Sequence, residues 1–378
     1  MAMMRTNWLT VAALLLAGLF AAAQFGKLTL TLPVLRDVYS DGGAFVPVLV
    51  SIVGVVGILL GAVAGSVVTR IGLRRALIGG LLAGGVLSLV QASLPGIWAF
   101  AGLRVLEGLS HLAIVVAAPT LMAQAASERD RAMVMGIWAA FFGISMAILA
   151  LVLPVLLPMG GLGVVFVAHG VGMAAMGVVI WRVLPVEAVA EARSVSYLEE
   201  HRIIYTTPRL LIAGAGFVWY TILYIALLAV VPVALNLQVW AITGLPLVSI
   251  VGTLAGGALG RRMSPDKVVS LGFALTIVAS GLVYGFSPAL WPLFALFFVM
   301  ALIPAGSFAA IPHFNQSVAD RARATGGIAQ LGNVGTTLGT PIFVLVYDGA
   351  GLGAVCGLIV GFCLLGLAST RALLAWGK

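Results

Sequence analysis

Three charged residues interrupt runs that are otherwise almost wholly apolar. Lys27 breaks the first run, and Arg104 and Glu107 break the fourth. On a helix, Gln24, Lys27 and Thr31 fall at i, i+3 and i+7, which is one face. Arg104, Glu107 and His111 repeat that spacing on the other run. A charge in the middle of a membrane helix costs about 2.5–3.5 kcal/mol even on insertion scales, so such residues face a cavity and pair. The chemistry open to this set is a buried ion pair, Lys27–Glu107 or Arg104–Glu107, and a carboxyl that takes up and releases a proton. Glu107, Arg104 and His111 are therefore expected to couple protons. Gln24, Lys27 and Arg104 are expected to meet a solute, and the cations favour a small anionic or carboxylate-bearing one. A purely structural bridge between two helices is the alternative reading of the same residues.

These stripes require helices that lie in a bilayer. The chain has 378 residues, 62% of them apolar and 8% charged, against roughly 25% charged in an ordinary soluble domain. So few charges cannot cover a soluble surface of this size. A soluble enzyme, a secreted disulfide scaffold and a nucleic-acid binder are excluded together. A transmembrane helix takes about 20 apolar residues, and the sequence predicts twelve. The first half holds 8–34, 46–69, 74–93, 97–125, 132–157 and 161–184. The second holds 208–235, 240–261, 267–287, 290–315, 324–347 and 350–375. Only the connection 185–207, with Glu187, Glu191, Glu199 and Glu200, is polar enough to be a linker. It divides the chain into bundles 1–184 and 208–378.

The net charge of +8 is a matter of topology. Basic residues fall in alternate connections: Arg70, Arg74 and Arg75; Arg129 and Arg131; Arg182, Arg193, Arg202 and Arg209; Arg261, Arg262 and Lys267; Arg321 and Arg323. Short basic loops mark the cytoplasmic side, which places both termini, with Arg5 and Lys378, inside. The start of the chain also resembles a secretory signal, with Arg5, an apolar run and Ala21-Ala22-Ala23. Cleavage there would break the charge alternation, so the first span is expected to remain. The expected setting is a bacterial inner membrane, crossed many times by a monomer. Cys356 and Cys363, seven residues or about 10 Å apart on a helix, cannot bridge each other. No phosphate-binding loop, HExxH or CxxC sequence occurs, and no cofactor or metal is expected.

The halves repeat. Gly65-x3-Thr69-Arg70 has a counterpart in Gly256-x3-Gly260-Arg261, and Asp130-Arg131-Ala132-x3-Gly136 in Asp320-Arg321-Ala322-x3-Gly326, at offsets of 191 and 190 residues. Transporters are commonly built from such repeats, with the solute site between them. The segment Gly65-Ser-Val-Val-Thr69-Arg70-Ile-Gly72-Leu-Arg74-Arg75 resembles the loop between spans two and three of the major facilitator superfamily, usually G-x3-D-R-x-G-R-R/K. It departs at Thr69, where the family has an acid, and at Leu73, where a basic residue is usual. Arg104-Val-Leu-Glu107-Gly108 resembles the R-x-x-x-G element of the fourth span, which is associated with proton coupling. This segment, with Gln24-Phe-Gly-Lys27, is similar to the small cyanate and nitroimidazole transporter group.

The resemblance implies an all-α polytopic membrane protein, with twelve transmembrane helices in two pseudo-symmetric six-helix bundles that work by alternating access. It places spans one, four, seven and ten around the cavity, so Tyr220 and Tyr224, beside Trp219, become solute-binding candidates. Gln330 and Asn333 stripe one face of the eleventh span with Thr337 and join that set, with interhelical hydrogen bonding as the plainer role. His169, near Met173 and Met176, falls on the peripheral sixth span and is expected to serve packing alone. Arg70, Arg74, Arg75, Asp130, Arg261, Asp320 and Arg321 are expected to gate the cytoplasmic side. Arginines at helix ends can bind orphan carbonyls and favour the negative end of the dipole. The fifth span lacks the Gly-Pro-x-x-Gly-Gly run of drug–proton antiporters and reads Gly143-Ile-Ser-Met-Ala-Ile instead. The function expected is proton-coupled secondary transport, with uptake preferred over export. A membrane-embedded enzyme and a channel are the rival classes.

Overall fold

The computed structural model describes residues 6–127, 130–185 and 196–376. Arg5, Arg129, Glu187, Glu191, Arg193 and Lys378, which entered the topology and linker arguments, lie outside them. Without water to pair with, each backbone N–H in a bilayer must bond within its own segment, and among the described residues the secondary structure is entirely helical. The first half runs through α1 (Trp8–Thr29), α2 (Leu32–Val38), α3 (Val46–Ser51), α4 (Gly54–Ile71), α5 (Leu73–Gln91), α6 (Ile97–Ala125), α7 (Arg131–Ala139) and α8 (Phe141–Val183). The expected linker is itself partly helical, as α9 (Tyr197–Thr206). The second half holds α10 (Pro208–Ala234), α11 (Val239–Leu259), α12 (Pro265–Phe286), α13 (Trp291–Met300), α14 (Leu302–Phe314) and α15 (Val318–Trp376).

Among the described residues, ten helical stretches are long and apolar enough to cross a membrane. Two of them are too long for one crossing: α8 has 43 residues, about 65 Å at 1.5 Å per residue, and α15 has 59. Each is broken at a glycine with positive φ, Gly161 at 63° and Gly351 at 71°. The chain reverses there. Ser145 and His169, on either side of Gly161, bond to the adjacent Leu19 and Phe20 carbonyls of α1. Gly335 abuts the Val218 carbonyl, and Ser369, beyond Gly351, accepts from the neighbouring Trp219. With both elements folded as two crossings, the count agrees with twelve.

The repeat is visible locally. Gly161 and Gly351 are 190 residues apart, each followed by Leu-Gly. The backbone N–H of Asp130 bonds to Ser127 Oγ, and that of Asp320 to Ser317 Oγ, at 3.3 and 3.0 Å. The same cap therefore opens a helix at the same place in each half. Gly72, in the loop motif, turns at φ 96°, a conformation a side chain would resist.

The apolar packing is divided unevenly. Away from the linker, Leu28, Leu35, Leu49 and Phe100 of the first half share one cluster with Leu227, Leu228 and Phe343 of the second. Towards the linker the halves keep separate main cores, with Leu14, Leu77 and Met122 in one and Leu210, Ala310 and Ile328 in the other, bridged by a small cluster of Ala62, Ile204 of α9 and Leu211. The molecule is thus welded on one side of the membrane and, but for that bridge under α9, parted on the other.

Candidate functional site

A buried polar cluster occupies the first half. α1 supplies Lys27, α6 supplies Arg104 and Glu107, α5 supplies Ser88 and Gln91, and the second part of α8 supplies His169. Lys27 Nζ lies 2.6 Å from Glu107 Oε1 and Arg104 Nη1 lies 2.5 Å from Glu107 Oε2, with all three side chains fully buried. Gln91 donates its amide to Oε2 as well, at 3.0 Å. Arg104 spends its remaining donors on the carbonyls of Leu49 and Val50, where α3 ends before its own helix can use them. Both cations expected from the sequence therefore meet the one carboxylate.

His169 completes the cluster, against the expectation that it serves packing alone. Its Nε2 faces the Phe20 carbonyl at 3.1 Å, and a carbonyl only accepts, so that nitrogen carries the hydrogen. Ser88 donates its hydroxyl to the Phe166 carbonyl. His169 Nδ1 is then left to accept from Lys27 Nζ at 3.2 Å. Lys27 also stands 4.8 Å from the Phe166 ring centroid, a cation–π distance. The sequence did carry a signal for this residue: an ionisable side chain in the middle of an apolar span.

A separate cavity opens between the halves on the linker side, with about 1140 Å³ of empty space including solvent at its mouth. His111 reaches it, as do Tyr220, Tyr224 and Asn333. Four expected solute ligands do not. Gln24 donates to Ser110 Oγ within the first half, while Lys27 and Arg104 are fully buried and bound to Glu107. Gln330 is turned away from the cavity. Its amide donates to the Ile58 carbonyl of α4 at 2.5 Å and its oxygen accepts from Tyr205 of α9 at 3.1 Å. The cause is common to all four: a desolvated donor takes the nearest fixed acceptor. Trp219 likewise leaves the cavity, donating to Ser369 and packing on Phe362.

The charged residues of the loops act mainly near themselves. Arg74 caps the end of α8 through the carbonyls of Leu184 and Trp181, at 2.9 and 2.6 Å. Asp320 pairs with Arg209 at 3.1 Å and Arg323 at 3.8 Å, and Arg321 donates to the Asn315 carbonyl. Asp130 accepts from Thr6, while Arg70, Arg75 and Arg261 are exposed. The bonds of Arg74, Asp320 and Arg321 each stay within one half.

Contacts across the halves use other residues. On the far side Arg36 of α2 meets Asp348 of α15 at 2.8 Å. Along the seam of α4 and α15, Gly54, Gly57 and Gly61 lie against Thr337, Asn333 and Gln330 so closely that an added Cβ would stand under 3 Å from each. Over this seam lies α9, where Tyr197 donates to the Leu59 carbonyl at 2.7 Å and Arg323 grips Glu200 with two bonds.

The Major Facilitator Superfamily sequence model matches residues 14–239, well over half of the chain. No curated protein matches the sequence. Among solved structures, the crystal structure of the human organic anion transporter MFSD10 (TETRAN) superposes with a TM-score of 0.72 at 17% identity, over 96% of this chain and 98% of that one.

Proposed function

The chain belongs to the Major Facilitator Superfamily, and on that premise we propose that this transporter is a proton-coupled secondary carrier of a small organic solute. It is an integral, multi-pass membrane protein and not an enzyme. The observation that carries the reading is the relation of cavity to carboxylate. His111 lines the cavity and stands at i+4 from Glu107, one helical turn away on the same face. Glu107 itself is sealed between two cations. A proton entering from the cavity reaches His111 first and Glu107 next. Protonating Glu107 would release Lys27 and Arg104, which tie α6 to α1 and to the end of α3, so proton uptake is linked to helix packing.

With the basic loops taken as cytoplasmic, the parted side faces the cytoplasm and the protein is loaded or unloaded from within. Residues 1–184 and 208–378 act as the two bundles, held in a bacterial inner membrane by a monomer with both termini inside. In the opposite conformation Arg70, Arg74, Arg75, Asp130, Arg261, Asp320 and Arg321 come together and close the inner mouth. Uptake is the direction assigned, because the fifth span lacks the antiporter run. Anion recognition drops out of the reading: it rested on Lys27 and Arg104 meeting the solute, and both are spent on Glu107.

The test is a pH gradient imposed on proteoliposomes. Glu107→Gln mimics the protonated carboxyl and should keep solute binding while losing proton-driven accumulation. Accumulation at the normal rate by Glu107→Gln would reduce the cluster to a structural bridge.

A further inference from the structure

The cavity between the halves has walls of aromatic rings and no charge. From the first half it is lined by Phe25, His111, Trp138, Phe141 and Phe142, and from the second by Phe217, Tyr220, Tyr224 and Phe308. Trp138 and Phe141 are stacked at 4.4 Å and 10°, and Tyr220 and Tyr224 at 5.3 Å and 23°. Among the described residues that line it there is no Lys, Arg, Asp or Glu.

The Tyr224 hydroxyl in this wall is poorly satisfied. Tyr224 is 2% exposed, and its hydroxyl makes no well-formed hydrogen bond, with the Ser249 hydroxyl as its nearest acceptor. Ser249 beside it donates to the Leu245 carbonyl instead. A Cβ placed on Gly143 of the opposite half would stand 3.5 Å from the Tyr224 oxygen, so the hydroxyl points across the gap between the bundles. A buried hydroxyl paired this weakly is costly, and a bound solute with a polar edge would satisfy it.

We propose that the solute is an uncharged, planar aromatic or heteroaromatic molecule, stacked against these rings with its polar edge on the Tyr224 hydroxyl. The proposal rests on the cavity being the solute site of a transporter, and adds what that solute is. Flat rings suit such walls because offset and edge-to-face contacts are favourable over their whole area. An ion would leave water for a wall without a counter-charge, and its desolvation would not be repaid. His111 is the one ring that could take a positive charge there. In the neutral form its Nδ1–H is held by the Ala21 carbonyl at 3.0 Å, which leaves Nε2 free to accept from the solute.

Three probes of similar size separate the possibilities: nicotinamide, its anionic counterpart nicotinate, and the non-aromatic cyclohexanecarboxamide. Each is titrated calorimetrically into the full-length protein in lipid nanodiscs. Nicotinamide should bind most tightly, with nicotinate weaker by about tenfold or more. Cyclohexanecarboxamide should also be weaker than nicotinamide. Tyr224→Phe keeps the ring and should weaken nicotinamide by about three- to tenfold. If that variant does not fold, Phe308→Leu, which thins the same half's wall, should show the same loss. Equal or tighter binding of nicotinate, as a charged His111 would give, overturns the proposal. So does no preference for the aromatic ring, or no binding of any probe. Failure of the coupling reading would look different: solute flux without proton flux, with this order of affinities intact.

Discussion

Lys27 Nζ and Glu107 Oε1 meet at 2.6 Å in a place where neither side chain sees solvent. The pair ties α1 to α6 at the depth where the cavity ends, and it does so with a second cation, Arg104, on the other carboxylate oxygen. Two buried positive charges then share one negative partner. Such an arrangement holds only because Leu49, Val50 and His169 take up the surplus donors, and it makes the cluster sensitive to the loss of any one member.

The first expectation concerns stability. Lys27→Met removes the surplus cation and leaves Glu107 paired with Arg104, so the cost should be that of a lost charged hydrogen bond, about 1.5–3 kcal/mol. Because Lys27 does not reach the cavity, solute affinity in the surviving folded protein should be unchanged. Thermal unfolding and equilibrium binding, measured on the same preparation, separate the two effects. A selective loss of affinity with normal stability would return Lys27 to the solute site.

Gln330 gives a second test. Its bonds to the Ile58 carbonyl and to Tyr205 join α15 with α4 and α9. Gln330→Leu should therefore alter turnover and leave equilibrium binding of the solute intact. Asn333→Leu, on the same stripe but facing the cavity, should lower binding as well.

The third concerns glycines that cannot be replaced equally. A Cβ on Gly108 would lie 2.3 Å from the backbone oxygen of Val53, whereas one on Gly57 would lie 2.2 Å from the amide of the Asn333 side chain. A side chain can turn aside, whereas the Val53 backbone sits in the two-residue turn between α3 and α4 and is fixed by the helix on either side. Gly108→Ala should cost more than Gly57→Ala, on the scale of about 1–3 kcal/mol for overpacking, as read from unfolding midpoints. Equal costs would show that the turn at Val53 yields as easily as Asn333.

A fourth addresses the welded side. Arg36–Asp348 is half-exposed, and pairs of that kind contribute about 0–1 kcal/mol. Arg36→Ala should raise the population open on that side only a few-fold, by about fivefold at most. Alkylation of a cysteine introduced at the buried Leu227 measures it. Exchanging the two charges, as Arg36→Asp with Asp348→Arg, should restore the original rate.

Much of this was legible in the chain. The Lys27 and Glu107 stripes, the span pattern and the repeat follow from hydropathy and spacing, since a bilayer permits little else. What was lost followed from competition between partners, which spacing does not encode. Gln330 and Asn333 sit on one face, yet the α4 carbonyls draw Gln330 away and the cavity keeps Asn333. His169 was assigned to a peripheral span and discounted, although the second part of α8 packs its ring against Lys27. Gln91 stands at the end of a span and carried no sign of the carboxylate it would meet. The breaks at Gly161 and Gly351 fall where the span pattern divides both runs, and what went unread was the Gly-Leu-Gly at matching positions that makes them turns.

The seam between α4 and α15 has a further consequence. Glycines bare one side of it, so backbone there meets side chain with nothing between, and any swelling must push the bundles apart along that line. The equivalent seam of α8 and α11 carries no such row: a Cβ added to Gly143 would stand 3.2 Å from Ile250, tight but well short of the overlap along α4. Duplication supplied two similar hinge posts, and only one of them was shaved to the bone. Motion should then be lopsided, a door swung from its glycine edge, with spin labels across α8 and α11 moving farther than labels across α4 and α15.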